Sequence, residues 1–81
     1  MNKVIRIRIR KDLDSRQHKN ILELKGSLIA QGYTDIIHIN DEDEEFYINS
    51  FTTTNDKAKE VLNYVENVLE ARQLSTSAWL L

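Results

Sequence analysis

The sequence has no cysteine and no proline, and it contains only two glycines, Gly26 and Gly32. The absence of cysteine excludes disulfide bonds and thiolate metal sites, and it is compatible with a reducing compartment. No run of about 18 apolar residues is present, so we expect no membrane-spanning helix. Because the N-terminus has charges but lacks the apolar segment of a signal peptide, we expect a cytoplasmic protein.

A large excess of one charge is also lacking, since 11 basic and 13 acidic residues give a formal net charge of −2. With 41% apolar and 30% charged residues, the composition is typical of a globular protein, and the length predicts one domain over residues 1–81. The charges are nevertheless distributed unevenly. Residues 1–11 hold five cations and no acid, whereas residues 41–45 are five consecutive acids. This separation predicts a molecule with a basic pole and an acidic pole.

The clearest pattern in the sequence is the alternation of apolar and cationic residues from Val4 to Arg10. Successive side chains of a β-strand point to opposite faces, so one face would be aliphatic and the other cationic. The aliphatic face holds Ile5, Ile7 and Ile9, and the cationic face holds Arg6, Arg8 and Arg10. We therefore predict a strand over residues 3–10 that buries its isoleucines and exposes its arginines.

Hydrophobic periodicity predicts five further elements. They are a helix from about 15 to 31, a strand over 36–39, a strand over 46–51, a helix from about 56 to 72 and a short strand over 76–81. Asp14 and Gln17 fit a capping box that begins the first helix, and Gly32 fits the left-handed residue that ends it. Gly26, inside this helix, indicates close packing against a strand.

The resulting order, β-α-β-β-α-β, is that of the split-βαβ or ferredoxin-like fold. Right-handed crossovers would place both helices on one face of a four-stranded antiparallel sheet with the order 4-1-3-2. The fold class is therefore predicted to be α+β. This arrangement agrees with the first strand, because isoleucines would lie under the helices and arginines on the uncovered face.

The uncovered face of the predicted sheet would carry residues from three strands. If Phe46 and Ile48 point inward, then Tyr47, Asn49 and Phe51 point outward beside the three arginines. His38 would also point outward. For the last strand the sequence does not determine which side chains face outward, so either Trp79 or Leu80 does.

No catalytic or metal-binding pattern is evident. His18 and His38 stand on different elements, and no spacing of histidines and carboxylates indicates a zinc site. The acidic run at 41–45 lacks the glycine and the closing glutamate of a calcium loop. Residues 11–15 contain no glycine-rich anion loop, and no nucleophile arrangement stands out. We therefore predict no enzyme activity, no cofactor and no metal.

The charge separation favours a small protein-binding or regulatory module, of the kind that includes inhibitors. Its predicted contact residues are Asp41, Glu42, Asp43, Glu44, Glu45, Arg6, Arg8 and Arg10. Such patches steer association with a partner of opposite charge. The two poles are also complementary between copies, which would allow a homodimer.

Two other functions remain as alternatives. The open face could bind single-stranded RNA or DNA, as in RNA-recognition motifs, using Tyr47 and Phe51 for stacking and Arg6, Arg8, Arg10, His38 and Asn49 for polar contacts. The acidic, glycine-free third strand and the negative net charge argue against this. An ACT-like regulatory or dimerisation domain has the same element order but would need a glycine-containing ligand loop. A fourth interpretation is that the open face binds nothing and is only solvated. Its arginines would then be neutralised by Glu45 or by the acidic hairpin folding back.

Overall fold

The computed structural model describes residues 2–81 and has an α+β architecture, as predicted. Its elements, in chain order, are β1 (Asn2–Arg10), α1 (Ser15–Ala30), β2 (His38–Asp41), β3 (Phe46–Thr54), α2 (Asn55–Ala71) and β4 (Ala78–Leu80). Compared with the prediction, β2 begins two residues later, β3 continues to Thr54, and β4 is shorter. Neither helix combines the length and the apolar character needed to cross a lipid bilayer, over the residues described.

The four strands form one antiparallel sheet with the order β2-β3-β1-β4. The four-stranded antiparallel sheet with two helices is therefore confirmed. β1 and β3 pair along their whole nine-residue lengths, from Asn2 opposite Thr54 to Arg10 opposite Phe46. β2 and β4 both flank the end of this central pair that holds Arg8, so the sheet is four strands wide only there.

One apolar cluster packs the helices against the sheet. The isoleucines of β1 are between 2% and 3% exposed, which confirms their predicted burial. The cluster adds Ile21, Leu24 and Leu28 from α1, Val61, Val65 and Leu69 from α2, and Leu74 and Ala78 from the C-terminal segment. Because each helix contributes residues at spacings of three, four or seven, both present one apolar stripe to the same face of the sheet.

The ends of α1 follow the predicted capping chemistry. The Asp14 carboxylate accepts a hydrogen bond from the Gln17 backbone N–H at 2.8 Å, and the Gln17 side chain accepts one from the Asp14 N–H at 3.3 Å. Gly32, with φ of 77°, adopts the left-handed conformation predicted for it. The prediction for Gly26 is wrong: a Cβ there would meet no atom within 4 Å, so this glycine does not mark a close approach to a strand.

The predicted parity of β3 is also wrong. Phe51 lies opposite Ile5 and Asn49 lies opposite Ile7, and both are only 2% exposed. Residues directly opposite in an antiparallel pair share a face, so the register with β1 turns these side chains towards the helices. Tyr47, opposite Ile9, lies on this same inner side.

Candidate functional site

The side of the sheet that faces away from the helices, called the open face here, carries the predicted arginines. Its residues, read from the strand register, include Val4, Arg6, Arg8 and Arg10 on β1, His38 and Asn40 on β2, Phe46, Ile48, Ser50 and Thr52 on β3, and Trp79 on β4. Arg6 and Arg10 are exposed, as the sequence predicts. His38 joins them because it pairs with Ser50, which in turn pairs with Arg6.

Two aromatic rings and two guanidinium groups form a cluster on the open face. The rings of Phe46 and Trp79 meet edge to face, with centroids 5.8 Å apart at an angle of 76°. The Arg8 guanidinium carbon lies 5.5 Å from the Phe46 centroid, and that of Arg10 lies 6.0 Å from the Trp79 centroid. Cations at such distances from ring faces are attracted by the ring quadrupole, so each group helps to hold the other in place.

Arg8 is also tied to the acidic hairpin. Its Nε and Nη2 donate to the two carboxylate oxygens of Glu42 at 2.7 and 2.8 Å, which is a bidentate ion pair. The hydrogen bonds to Glu42 raise the pKa of Arg8 further above its ordinary value. The predicted neutralisation of arginine by the folded-back hairpin therefore occurs at Arg8, through Glu42 rather than Glu45.

Other acids of residues 41–45 also have partners within the chain. Asp43 Oδ1 accepts hydrogen bonds from the backbone N–H groups of Glu45 and Phe46, at 2.7 and 2.9 Å, and so closes the turn. Asp41 lies 3.3 Å from the Lys11 ammonium. The carboxylates of Glu44 and Glu45 are exposed and make no ion pair within the described residues.

The structure thus separates the predicted contact residues into two groups. Arg8, Asp41, Glu42 and Asp43 are engaged within the molecule. Arg6, Arg10, Glu44 and Glu45 are exposed and make no ion pair in residues 2–81, so their charges remain available.

The residues predicted for nucleic-acid stacking are not brought together on the open face. Phe51 and Asn49 are buried under the helices. Tyr47 lies on the inner side of the sheet, where the Lys11 ammonium is 4.9 Å from its ring centroid. Phe46 and Trp79 take their place, whereas the sequence predicts that Phe46 lies on the inner face and leaves the orientation of Trp79 open. Phe46 lies beside Arg10 because the parity of β3 is the opposite of the one expected, and only the register with β1 reveals this.

The two histidines do not converge. His18 lies in the first turn of α1, on the opposite side of the sheet from His38. Over residues 2–81, no three side chains of histidine, cysteine, aspartate or glutamate are grouped so that they could hold a metal ion.

The chain has no significant match among family models, curated proteins or solved structures. A proposal for its function therefore has to rest on the chemistry of its own surface.

Proposed function

We propose that this protein is a non-enzymatic protein-binding module, regulatory or inhibitory in effect, that contacts its partner through the open face and the adjoining acidic hairpin. The observation that carries the proposal is the cluster of Phe46, Trp79, Arg8 and Arg10 on a sheet face that neither helix covers. Tryptophan and arginine are the residue types most enriched among the energetically dominant positions of protein interfaces.

The cluster is ordered before any partner arrives. Arg8 is held by both Glu42 and the Phe46 ring, and the Phe46 and Trp79 rings restrain each other. Ordering a flexible side chain on binding costs roughly 0.5–1.5 kcal/mol, and a preformed cluster avoids part of that cost. This arrangement favours a binding role for the open face over the alternative that the face is only solvated.

The chemistry of the partner follows from the charges that remain. Arg6 and Arg10 are four residues apart on one strand, which separates them by about 13 Å. A partner with two carboxylates at that spacing would satisfy both guanidinium groups in bidentate geometry. Between them, Ile48 and Trp79 both lie opposite Arg8 and are partly exposed, so they offer apolar contact. We therefore expect a protein surface that is apolar at its centre and acidic at two points.

The size of the surface implies that the hairpin takes part. A stable interface buries about 800 Å² on each partner, about one seventh of the 5455 Å² surface of this protein. The open face is about 30 Å long and only about 15–19 Å wide where four strands lie side by side. The hairpin adjoins that wide end, so Glu44 and Glu45 would extend the contact and would pair with basic groups of the partner.

The specific topology belongs to the same proposal. The element order and the strand order β2-β3-β1-β4 are compatible with the ferredoxin-like layout, with both helices on one face. That layout leaves the other face free for recognition. A cytoplasmic location, where soluble partners are accessible, is proposed with it.

Single-stranded nucleic acid is the weaker alternative. The guanidinium groups of Arg8 and Arg10 already lie against the Phe46 and Trp79 rings, which limits the ring area open to a base. The net charge of −2 also opposes binding to a polyanion. Self-association through the two complementary poles and an ACT-like role remain further alternatives, and the sedimentation measurement below tests the first of them.

The test is affinity capture from nuclease-treated extract of the native source, with four forms of the chain as bait. These are the wild type, the double variant Arg6→Glu/Arg10→Glu, the double variant Glu44→Lys/Glu45→Lys, and the control Lys59→Glu, which reverses an exposed charge on α2. We expect one protein to be retained by the wild type and the control and lost from both double variants. Circular dichroism checks that each variant is folded.

Three results would overturn the proposal. One is a set of captured proteins that is the same for all four baits. Another is retention only without nuclease, together with salt-dependent binding of a labelled oligonucleotide that Trp79→Ala weakens. The third is a sedimentation mass of two chains at low salt that returns to one chain in both double variants, which would identify the second copy as the partner.

A further inference from the structure

A cleft lies on the helix side of the molecule, between α1 and the edge of the sheet formed by β2 and β3. Its volume is about 380 Å³, within the range of sites that hold small molecules. Its walls are mostly apolar and include Ile9, Ile21, Leu22 and Ile39. Ile39 pairs with Asn49 on the inner face yet is 55% exposed, so α1 does not extend far enough to cover this edge.

The cleft contains a buried polar group with no partner. Asn49 lines it and is 2% exposed, and its Oδ1 accepts no hydrogen bond within the described residues. A buried acceptor without a donor destabilises the folded state, so such a group requires an explanation. A bound molecule that donates a hydrogen bond would provide the missing partner.

Positive charge surrounds the same cleft. Lys25 on α1 is half-buried in its wall and makes no ion pair or side-chain hydrogen bond within residues 2–81. Burial lowers the pKa of Lys25 below the ordinary lysine value, since the charged ammonium is partly removed from water. Arg10 and Lys11 also line the cleft, whereas no acidic side chain does, although Lys11 is already paired with Asp41 at 3.3 Å. An anionic group would compensate Lys25.

We infer that this cleft binds a small organic anion with a flat or branched apolar body, a carboxylate that pairs with Lys25, and one hydrogen-bond donor that reaches Asn49. The apolar body packs between Leu22 of α1 and Ile39 of β2. The site lies across the sheet from the aromatic cluster of the open face and shares with that face only Arg10, so it does not depend on the protein-binding function proposed above.

The probe for the test is indole-3-propionate, which carries a flat apolar ring system, one N–H donor and one carboxylate. Two analogues remove one feature each: indole-3-propionamide lacks the negative charge, and 1-methylindole-3-propionate lacks the donor. Binding to the full chain is followed by the backbone amide signals in a ¹⁵N NMR titration. We expect saturable shifts centred on Leu22, Lys25, Ile39 and Asn49, and about tenfold weaker binding of each analogue.

Variants of the chain test the same contacts from the protein side. Lys25→Gln should weaken binding of indole-3-propionate about tenfold but leave the affinity for the neutral amide unchanged. Asn49→Leu should weaken the indole probe and leave the 1-methyl analogue unchanged. Lys59→Gln makes the same charge change as Lys25→Gln on the other helix, and it should have no effect. Arg6→Glu should also have no effect, which separates this site from the open face.

Several outcomes would overturn the inference. One is the absence of saturable shifts up to the solubility limit of the probe. Another is a set of shifts centred on Phe46 and Trp79, or equal weakening by Lys25→Gln and Lys59→Gln. A third is a shift of the Leu22 and Ile39 signals with protein concentration in the absence of probe, which would mean that a second copy covers the cleft.

Discussion

The two faces of the sheet are built from the same central strands, but they are stabilised by different forces. On the inner face, Ile7 and Phe51 are at most 3% exposed and contribute through apolar burial under both helices. On the open face, Phe46 is only partly buried and is held by the Trp79 ring and the Arg8 guanidinium group. One face therefore accounts for most of the folding free energy, while the other can change with little effect on the fold. Stability and recognition should accordingly respond to different substitutions.

The largest difference in stability between the two faces is expected when the two phenylalanines of β3 are replaced by alanine. Phe51→Ala should lower the free energy of unfolding by about 3–5 kcal/mol, because it opens a cavity in the core. Phe46→Ala should cost less, about 1–2 kcal/mol, since Phe46 is only partly buried and its removal opens no enclosed cavity. Urea denaturation followed by circular dichroism measures both. Equal losses, or a larger loss for Phe46→Ala, would contradict the assignment of the inner face.

The parity of β1 could be predicted from sequence, whereas that of β3 could not. In β1 the two parities differ completely, since one is all isoleucine and the other all arginine between Ile5 and Arg10. In the predicted strand 46–51, both parities contain an aromatic residue, and the truly buried set includes the polar Asn49. Counting apolar residues therefore favours the wrong face. Only the register with β1, which is set by long-range pairing, resolves the ambiguity.

The candidate surface was predictable to a similar extent. The exposed arginines follow from the alternation in β1, and the location of the acids in a hairpin follows from their composition and position. The bidentate contact between Arg8 and Glu42 does not, because residues separated by 34 positions meet only once β3 has paired with both β1 and β2. The cleft beside α1 was equally inaccessible to sequence analysis, since it depends on how far the helix covers β2.

The second prediction concerns the one buried amide of the inner face. Asn49→Leu should raise the free energy of unfolding by between about 1 and 3 kcal/mol, because it replaces an acceptor without a partner by an apolar group of similar volume. Urea denaturation is again the measurement. A loss of stability would mean that Asn49 stabilises the fold through its own contacts. Its Oδ1 would then no longer indicate that a ligand is missing from the cleft. Asn40→Leu, on an exposed position of β2, is the control and should change stability by less than about 0.5 kcal/mol.

The third prediction extends the comparison of buried and exposed sides to α1. Gly26 lies on the exposed side of this helix, and a Cβ there meets nothing within 4 Å. Gly26→Ala should therefore stabilise the protein by about 0.5–1 kcal/mol, because alanine loses less backbone entropy on folding. Gly32→Ala is the matched control and should destabilise, since its φ of 77° is unfavourable for alanine. Destabilisation by Gly26→Ala would indicate that this side of α1 is packed against something.

The smallest effect is expected at the ion pair of the open face. A double-mutant cycle with Arg8→Gln and Glu42→Gln should give a favourable coupling that is smaller than the effect of Gly26→Ala, because both side chains remain partly in water. The coupling should decrease as salt is raised, since the screening length falls from about 10 Å at 0.1 M to about 3 Å at 1 M ionic strength. The stability difference caused by Phe51→Ala should not share this salt dependence. A coupling that is unchanged at high salt would mean that the pair is shielded from solvent, and the open face would then resemble the inner face more closely than its exposure indicates.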